Sequence, residues 1–240
     1  MPDLVELFPP TGVVIRTPRL ELRWPSMDDL CALANVAADG VHEEDAMPFL
    51  TPWTRGTPEE RARSVLQWNW GSWGSWDPKK WSWSSVTVVD GRVVGTQGIE
   101  ATEFGVCRTI ETGSWVGRNY QGQGIGKEMR AAILHFAFAG LGAELAITGA
   151  FEDNARSLGV TRSLGYRENG FVVLAVEERR RRELQFTMTR EEWEAARRDD
   201  IEMSGVEAAL PLFGAAADPG TAAASPEGPA SAGESAELSP

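Results

Sequence analysis

Apolar and polar residues alternate from Arg19 to Trp24, and that period of two predicts a strand, read as an edge strand. Ser26, followed three residues later by Asp29, is a capping pair that predicts a helix running to about Ala38. Thr57-Pro58-Glu59-Glu60 repeats the signal for a second helix. Val86 to Val89 and Val93 to Gly98 flank Asp90-Gly91 and predict a hairpin, with a further strand at Glu111 to Val116. From Ile125 the spacing of Met129, Ile133, Leu134, Phe136 and Ala137 is helical, and Glu144 to Thr148 reads as a short strand. A helix over Asp153 to Leu164 follows, then a hairpin of Phe171 to Val176 and Glu183 to Met188 with Arg179 to Arg182 in its turn, and a short helix at Arg190 to Arg198. The order is β-α-α-β-β-β-α-β-α-β-β, an α/β (α+β) chain with four strands ahead of residue 121.

Gln121-Gly122-Gln123-Gly124-Ile125-Gly126 joins the fourth of those strands to the next helix. Three glycines let the backbone approach an anion without obstruction by Cβ, and the free N–H groups of a helix start, with its dipole, supply donors. The spacing Q-x-x-G-x-G excludes the dinucleotide fingerprint, because the last glycine of G-x-G-x-x-G would fall on Lys127. The P-loop is excluded too: its leading glycine would be Gln121 and its Ser or Thr would be Glu128. A phosphorylated cofactor of another kind is expected, the bland alternative being a tight strand-to-helix turn.

Several further segments, in order, resemble the GNAT acyl-CoA-dependent N-acyltransferases and within them the RimJ/RimL-like branch. Thr17-Pro18-Arg19-Leu20-Glu21-Leu22-Arg23 resembles the opening strand, and Gly113-Ser114-Trp115-Val116-Gly117 the strand that runs into the pyrophosphate loop. Asn154-Ala155-Arg156-Ser157 and Leu164-Gly165-Tyr166 resemble the N-x-x-S helix and the turn after it. The likeness covers about residues 13 to 198. Met47-Pro48-Phe49, Pro52-Trp53-Thr54 and Thr112-Gly113-Ser114-Trp115 are similar to an actinobacterial subgroup in which succinyl transfer has been proposed. The resemblance implies a mixed, strongly bent sheet of about six to seven strands with helices on both faces. It also implies acetyl-CoA or succinyl-CoA as co-substrate and a primary amine as acceptor, whether small molecule, protein N-terminus or lysine. The alternative is a CoA-binding sensor or scaffold of the same fold that has lost turnover.

Attack on a thioester needs a neutral amine, and a lysine-like amine is neutral only about one part in two thousand of the time at pH 7. Glu111, ten residues before Gln121, lies near where many members of the family place a glutamate base; Glu100 and Glu103 are the next candidates. In the resemblance, Ser114, Trp115 and Val116 follow the thioester and pantetheine, mostly through backbone, and residues 121 to 127 (Gln121, Gly122, Gln123, Gly124, Ile125, Gly126 and Lys127) hold the pyrophosphate. Asn154 would bind the pantetheine amide and Ser157 would protonate the departing thiolate, each with helix capping as the plain alternative. Many relatives use a tyrosine seven residues after that asparagine; here the position is Thr161. Arg118 and Lys127 could offset phosphate charge.

Composition narrows the rest. The 240-residue chain has a net charge of −12, and Asp200, Glu202, Glu207, Asp218, Glu227, Glu234 and Glu237 place seven of those negative charges after residue 199. Nucleic acid is therefore an unpromising partner. Residues 1 to 12 read as an extension, 13 to 198 as the acyltransferase domain, and 199 to 240 as an acidic tail, disordered in its Ala/Gly/Pro/Ser-rich part, with Leu210-Pro211-Leu212-Phe213 as a stretch that could dock. No apolar run approaches the ~20 residues of a membrane span and no leader pattern opens the chain, so a cytoplasmic protein is expected. Cys31 and Cys107 read as buried small residues, and no metal site is implied. His42-Glu43-Glu44-Asp45 reads as an acidic loop, His135 as a packing residue, and Arg179 to Arg182 as a solvated turn. Six of the ten tryptophans, Trp68, Trp70, Trp73, Trp76, Trp81 and Trp83, crowd one stretch. They could wall an acceptor site, join copies into a homo-oligomer, or fill a satellite core.

Overall fold

A computed structural model describes residues 1–215. In chain order the elements are α1 (Leu4–Leu7), β1 (Val14–Arg16), β2 (Leu20–Arg23), α2 (Met27–Asp39), α3 (Pro58–Gly74), β3 (Lys80–Val89), β4 (Arg92–Thr102), α4 (Phe104–Cys107) and β5 (Thr109–Val116). After the glycine loop come α5 (Ile125–His135), β6 (Leu145–Phe151), α6 (Ala155–Ser163), β7 (Arg167–Val176), β8 (Arg179–Thr189), α7 (Arg190–Ala195), β9 (Glu202–Ser204) and α8 (Val206–Ala209). The local signals act as read. Ser26 and Asp29 close a capping box on α2, Thr57 and Glu60 one on α3, and Thr189 and Glu192 one on α7. Asp90 and Gly91 both take positive φ, 47° and 73°, which the tight turn between β3 and β4 requires.

All nine strands form one mixed sheet in the order β7-β8-β6-β5-β4-β3-β2-β1-β9. The class is as expected, but nine strands replace six or seven, and five precede the glycine loop instead of four. β1 and β9 are the additions, each of three residues and too short to show alternation. They pair with one another, so β2 lies inside the sheet and not at its edge. Residues past 198 add to the same sheet and core. Ile201, Ala209 and Phe213 are buried, because packing on the core takes their apolar surface out of water. Trp76 and Trp81 donate their indole N–H groups to the carbonyls of Leu212 and Phe213, at 3.0 and 2.9 Å, and Trp83 donates to Pro10 at 3.0 Å. These three tryptophans therefore belong to the main core, not to a satellite one, and clamp both ends of the described chain to it. The expectation of a disordered tail over 216–240 lies outside the described residues.

Helices cover both faces. Met129, Ala132, Ile133 and Leu134 press α5 onto one face with Leu158 of α6, while Leu33, Ala37 and Val65 of α2 and α3 pack with Val86, Val88 and Val93 on the other. Among the described residues β5 and β6 are the only parallel neighbours, and their pairing sets the site.

Candidate active site

The parallel register of β5 and β6 runs Thr109 to Leu145, Ile110 to Ala146 and Glu111 to Ile147, and there it stops. β5 continues to Val116 against β4, and β6 continues to Phe151 against β8, so the two strands part like the arms of a V. Alternate N–H groups of the β5 segment from Thr112 to Val116 thus face a gap where a neighbouring strand would otherwise accept them. A Cβ built on Gly113 would meet nothing within 4 Å, so the face of β5 beside the gap is open there.

The glycine loop lies at the mouth of the V. Gly122 and Gly124 take φ of 77° and 79°, and Gly124 opens α5 without a side-chain cap, which leaves the first amides of an eleven-residue helix free. Gln121 behaves differently from Gly122 to Lys127. Its amide donates to the carbonyls of Val41 (2.7 Å) and Val116 (2.8 Å), and its oxygen accepts from Arg156. Its side chain is therefore a tie that fixes the loop, and Arg156 beside it is a cation that the sequence reading passed over. Arg19 adds a second tie, donating to the Gln123 carbonyl at 3.1 Å and pairing with Glu128 at 2.5 Å, while Thr17 donates to Glu128 at 2.6 Å. Glu128 in the first turn also complements the helix dipole. Lys127 is exposed, and Arg118 faces Glu43 at 3.7 Å.

Asn154 is the N-cap of α6, its Oδ1 accepting from the Ser157 N–H at 3.1 Å. Capping thus falls to Asn154, and the Ser157 hydroxyl is not used for it. Thr161 is buried and points into the core, so it has no path to a ligand in the V.

Glu111 lies at the vertex of the V, in the last rung that β5 shares with β6. It sits opposite Glu100 in the β4 register, and its carboxyl is held above the usual range by burial of its surroundings, then by repulsion from Glu100 and Glu183. Two acidic groups around one raised carboxyl favour a cationic acceptor and a base that can take a proton. Beside them, His42, Phe49, Trp53 and Trp115 form a chain of rings 5.2 to 5.9 Å apart. Met47 packs with Phe151 and Val176, and Arg55 pairs with Glu177 at 2.7 Å, which fastens the β7–β8 turn to the α2–α3 connection. The acidic loop of the sequence reading thus borders this wall. His42 itself is held between the Glu43 carbonyl and the Thr54 hydroxyl, at 2.7 and 2.6 Å.

One residue of the V was not foreseen. Arg130 reaches from α5 between the arms, donating to Thr148 on β6 (3.2 Å) and Ser114 on β5 (3.0 Å), while Thr148 donates to the Thr112 carbonyl at 3.1 Å. It is 5% exposed, and among the described residues no carboxylate pairs with it. The Tyr166 hydroxyl, the Thr112 hydroxyl and Arg130 Nε have no protein partner. A guanidinium amid the apolar stripe of α5 was the signal available in the sequence: Arg130 falls one turn after Gly126, next to Met129.

A family model described as "Acetyltransferase (GNAT) domain" matches residues 19–167. The chain belongs to the GNAT acetyltransferase family. Solved structures agree in fold. Mycobacterium smegmatis RimJ in complex with CoA-disulfide is 23% identical, with 80% of this chain and 97% of that one covered and a TM-score of 0.63. A GCN5-related N-acetyltransferase from Brucella melitensis is 20% identical, with 76% and 80% covered and a TM-score of 0.59. A GNAT-family acetyltransferase from Bacillus anthracis is 18% identical, with 75% and 99% covered and a TM-score of 0.59. The fold expected from the resemblance, with a RimJ among its neighbours, is therefore found.

The remaining expectations meet the structure unevenly. Cys31 and Cys107 are exposed and not buried, because each lies on the solvent side of its helix. Trp68 and Trp70 are about half exposed on α3, unlike Trp76, Trp81 and Trp83. Arg181 of the arginine run is engaged, paired with Asp153 at 2.7 Å and set over the Phe151 ring at 4.5 Å. His135 is buried against Trp193, as a packing residue would be. Among the described residues no helix is long and apolar enough to cross a membrane, and no cluster of three or more His, Cys, Asp or Glu could hold a metal ion.

Proposed function

We propose that this protein is an acyl-CoA-dependent N-acyltransferase that moves an acetyl or succinyl group to a primary amine by direct attack in a ternary complex. The observation that carries the reading is the end of the β5–β6 register at Glu111 and Ile147, with the uncapped start of α5 at the mouth of the gap. The residues fit a CoA ester. The free amides of Gly122 to Lys127, with Arg156 beside them, suit a pyrophosphate, and the outward N–H groups of Ser114 to Val116 suit an extended pantetheine amide and the thioester carbonyl.

Each side chain then has a task. Glu111 accepts the proton of the incoming ammonium, helped by a carboxyl whose proton affinity is already raised. The backbone N–H groups beyond Glu111 stabilise the oxyanion, and their fixed direction costs no reorganisation. Asn154 holds the start of α6, and Ser157 donates a proton to the thiolate. The acidic surroundings of Glu111 favour a cationic amine over a neutral one.

Arg130 favours the succinyl form of the reading. A buried guanidinium with no acidic partner, hydrogen-bonded to Ser114 at the fork of the V, is the chemistry a terminal acyl carboxylate would complete. Thermal shift with CoA, acetyl-CoA and succinyl-CoA, followed by free-thiol release over a panel of amines, tests both levels. Stabilisation by CoA with release from one ester supports the enzyme and names the donor. Stabilisation without turnover on any amine supports the non-catalytic sensor, and no stabilisation by any of the three rejects CoA binding.

A further inference from the structure

We infer that Tyr166 and Thr112 join Arg130 in selecting a donor whose acyl group ends in a carboxylate, and that they act by refusing an apolar acyl group of the same length. The inference rests on the acyl-CoA reading and deepens its donor side. Thr112 and Thr148 follow directly on the last paired rung of the V, Glu111 with Ile147. Thr112 and Ser114 lie on the face of β5 that carries Ile110 and Val116, the face packed with α5, whereas Glu111 lies on the opposite one. A donor with its pyrophosphate at the glycine loop and its pantetheine along β5 brings its acyl end down to this rung. The acid that serves the amine and the cation under the fork are thus separated by the sheet.

Thr112, Arg130 and Tyr166 are 4%, 5% and 5% exposed and come from three different parts of the chain. Each keeps a buried atom with no protein partner: Thr112 Oγ1, Arg130 Nε and the Tyr166 hydroxyl. They converge, since Arg130 and Thr112 both act on the Tyr166 phenol. Burial nevertheless raises that phenol above its ordinary value of 10, so it keeps its proton and remains a donor. Gln97, opposite Ser114 in the β4 register, has a free Oε1 that suits the Ser114 hydroxyl proton, while Ser114 Oγ accepts from Arg130. Buried donors are ordinarily satisfied, and three orphans around one guanidinium are satisfied together by one incoming group with two anionic oxygens. A methyl-ended acyl chain in the same place shuts water out and gives the donors nothing, which is how a polar site rejects an apolar analogue.

Calorimetric titration of the full chain with CoA, succinyl-CoA and butyryl-CoA, which carries a methyl where succinyl carries its carboxylate, tests this. No acceptor is needed, so the result is independent of Glu111. Wild type should bind CoA and should bind succinyl-CoA about 100-fold more tightly than butyryl-CoA. That ratio should fall about tenfold in Tyr166→Phe and in Thr112→Val, the measure of one lost hydrogen bond to a charged group. Neither variant should melt below wild type, because each loses a hydroxyl that has no protein partner. Equal affinity for the two esters in a wild type that binds CoA overturns the inference and leaves the acyl-CoA reading standing; failure to bind CoA overturns both. A preference for succinyl-CoA that survives both substitutions removes Tyr166 and Thr112 from donor selection. If it survives and both variants also melt lower, the hydroxyls serve the fold through ordered water and the inference is wrong.

Discussion

Glu111 stands opposite Glu100 across β4 and beside Ile147 in the last rung that β5 shares with β6. One residue thus marks the point where the sheet opens and carries the raised carboxyl next to that opening. Glu111→Gln should lower turnover by about 100-fold, the lower end of what a positioned base contributes, and leave CoA affinity unchanged. An unchanged rate would remove Glu111 from the mechanism. The pH dependence follows from the direction of the shift. Because the folded carboxyl titrates above 4.5, the acid limb of the rate profile should lie above the ordinary carboxylate range. The folded state binds this proton more readily than the unfolded chain, so Glu111 detracts from stability once the pH rises above its folded value. Glu111→Gln should therefore melt higher than wild type at neutral pH.

Asn154 and Ser157 share one hydrogen bond but divide two tasks, and substitution separates them. Asn154→Ala removes the cap of α6, which costs about 1 kcal/mol, roughly 2 to 4 °C in Tm for a chain of this size, and should also weaken CoA binding. Ser157→Ala keeps the cap, because the bond to Asn154 comes from its backbone N–H. It should melt like wild type and bind CoA equally, yet release thiol more slowly. A Ser157→Ala variant with wild-type turnover would leave thiolate protonation to solvent.

The helices were legible because their caps are written in adjacent residues: Ser26 with Asp29 and Thr57 with Glu60 need nothing from the rest of the chain. The glycine loop was legible for the same reason. β1 and β9 were not, since a three-residue strand is specified by its neighbours across the sheet and only slightly by its own pattern. The site divides in the same way. Glu111, Asn154 and the loop lie at fixed distances from Gln121, whereas Arg130 joins it only because two strands diverge at Thr112 and Thr148, a tertiary fact. Phe213 was legible only as the end of the apolar stretch Leu210 to Phe213 that could dock, which says nothing of what covers it.

Phe213 is fully buried and meets the Trp81 and Phe136 rings at 4.8 and 5.5 Å. Phe213→Ala should cost about 3 to 5 kcal/mol, the range for a large core aromatic. Ending the chain after Ala215 should leave Tm unchanged, while ending it after Ser204 should expose Trp76 and Trp81 and red-shift tryptophan fluorescence. Equal stability of the two truncations would show that the segment does not hold the core.

His135 is buried against Trp193, and its imidazole is held below its ordinary value of 6.5 by burial and then by Arg197, with Asp199 opposing. The unfolded chain takes up this proton first as the pH falls, so stability should decline from about pH 6.5 downwards. His135→Phe removes the titration and should flatten the slope of Tm against pH in that window while leaving carboxylate-driven losses at lower pH. A variant whose profile tracks wild type would assign the decline to other groups.

Arg130 offers the sharpest test of the donor, because its charge and its shape can be separated. Arg130→Met fills a similar length but removes the cation and both bonds to Ser114 and Thr148. If the guanidinium pairs with an acyl carboxylate, kcat/KM for succinyl-CoA should fall by at least tenfold, the measure of about 1.4 kcal/mol, while acetyl-CoA is affected much less. If it serves only to brace the two arms of the V, both esters should suffer alike, and Arg130→Lys, which keeps the charge but loses the planar fork, should be as impaired as the methionine variant. The ratio of the two donors, measured in each variant, decides between these without reference to the absolute rate. Any general loss of folding cancels in that ratio.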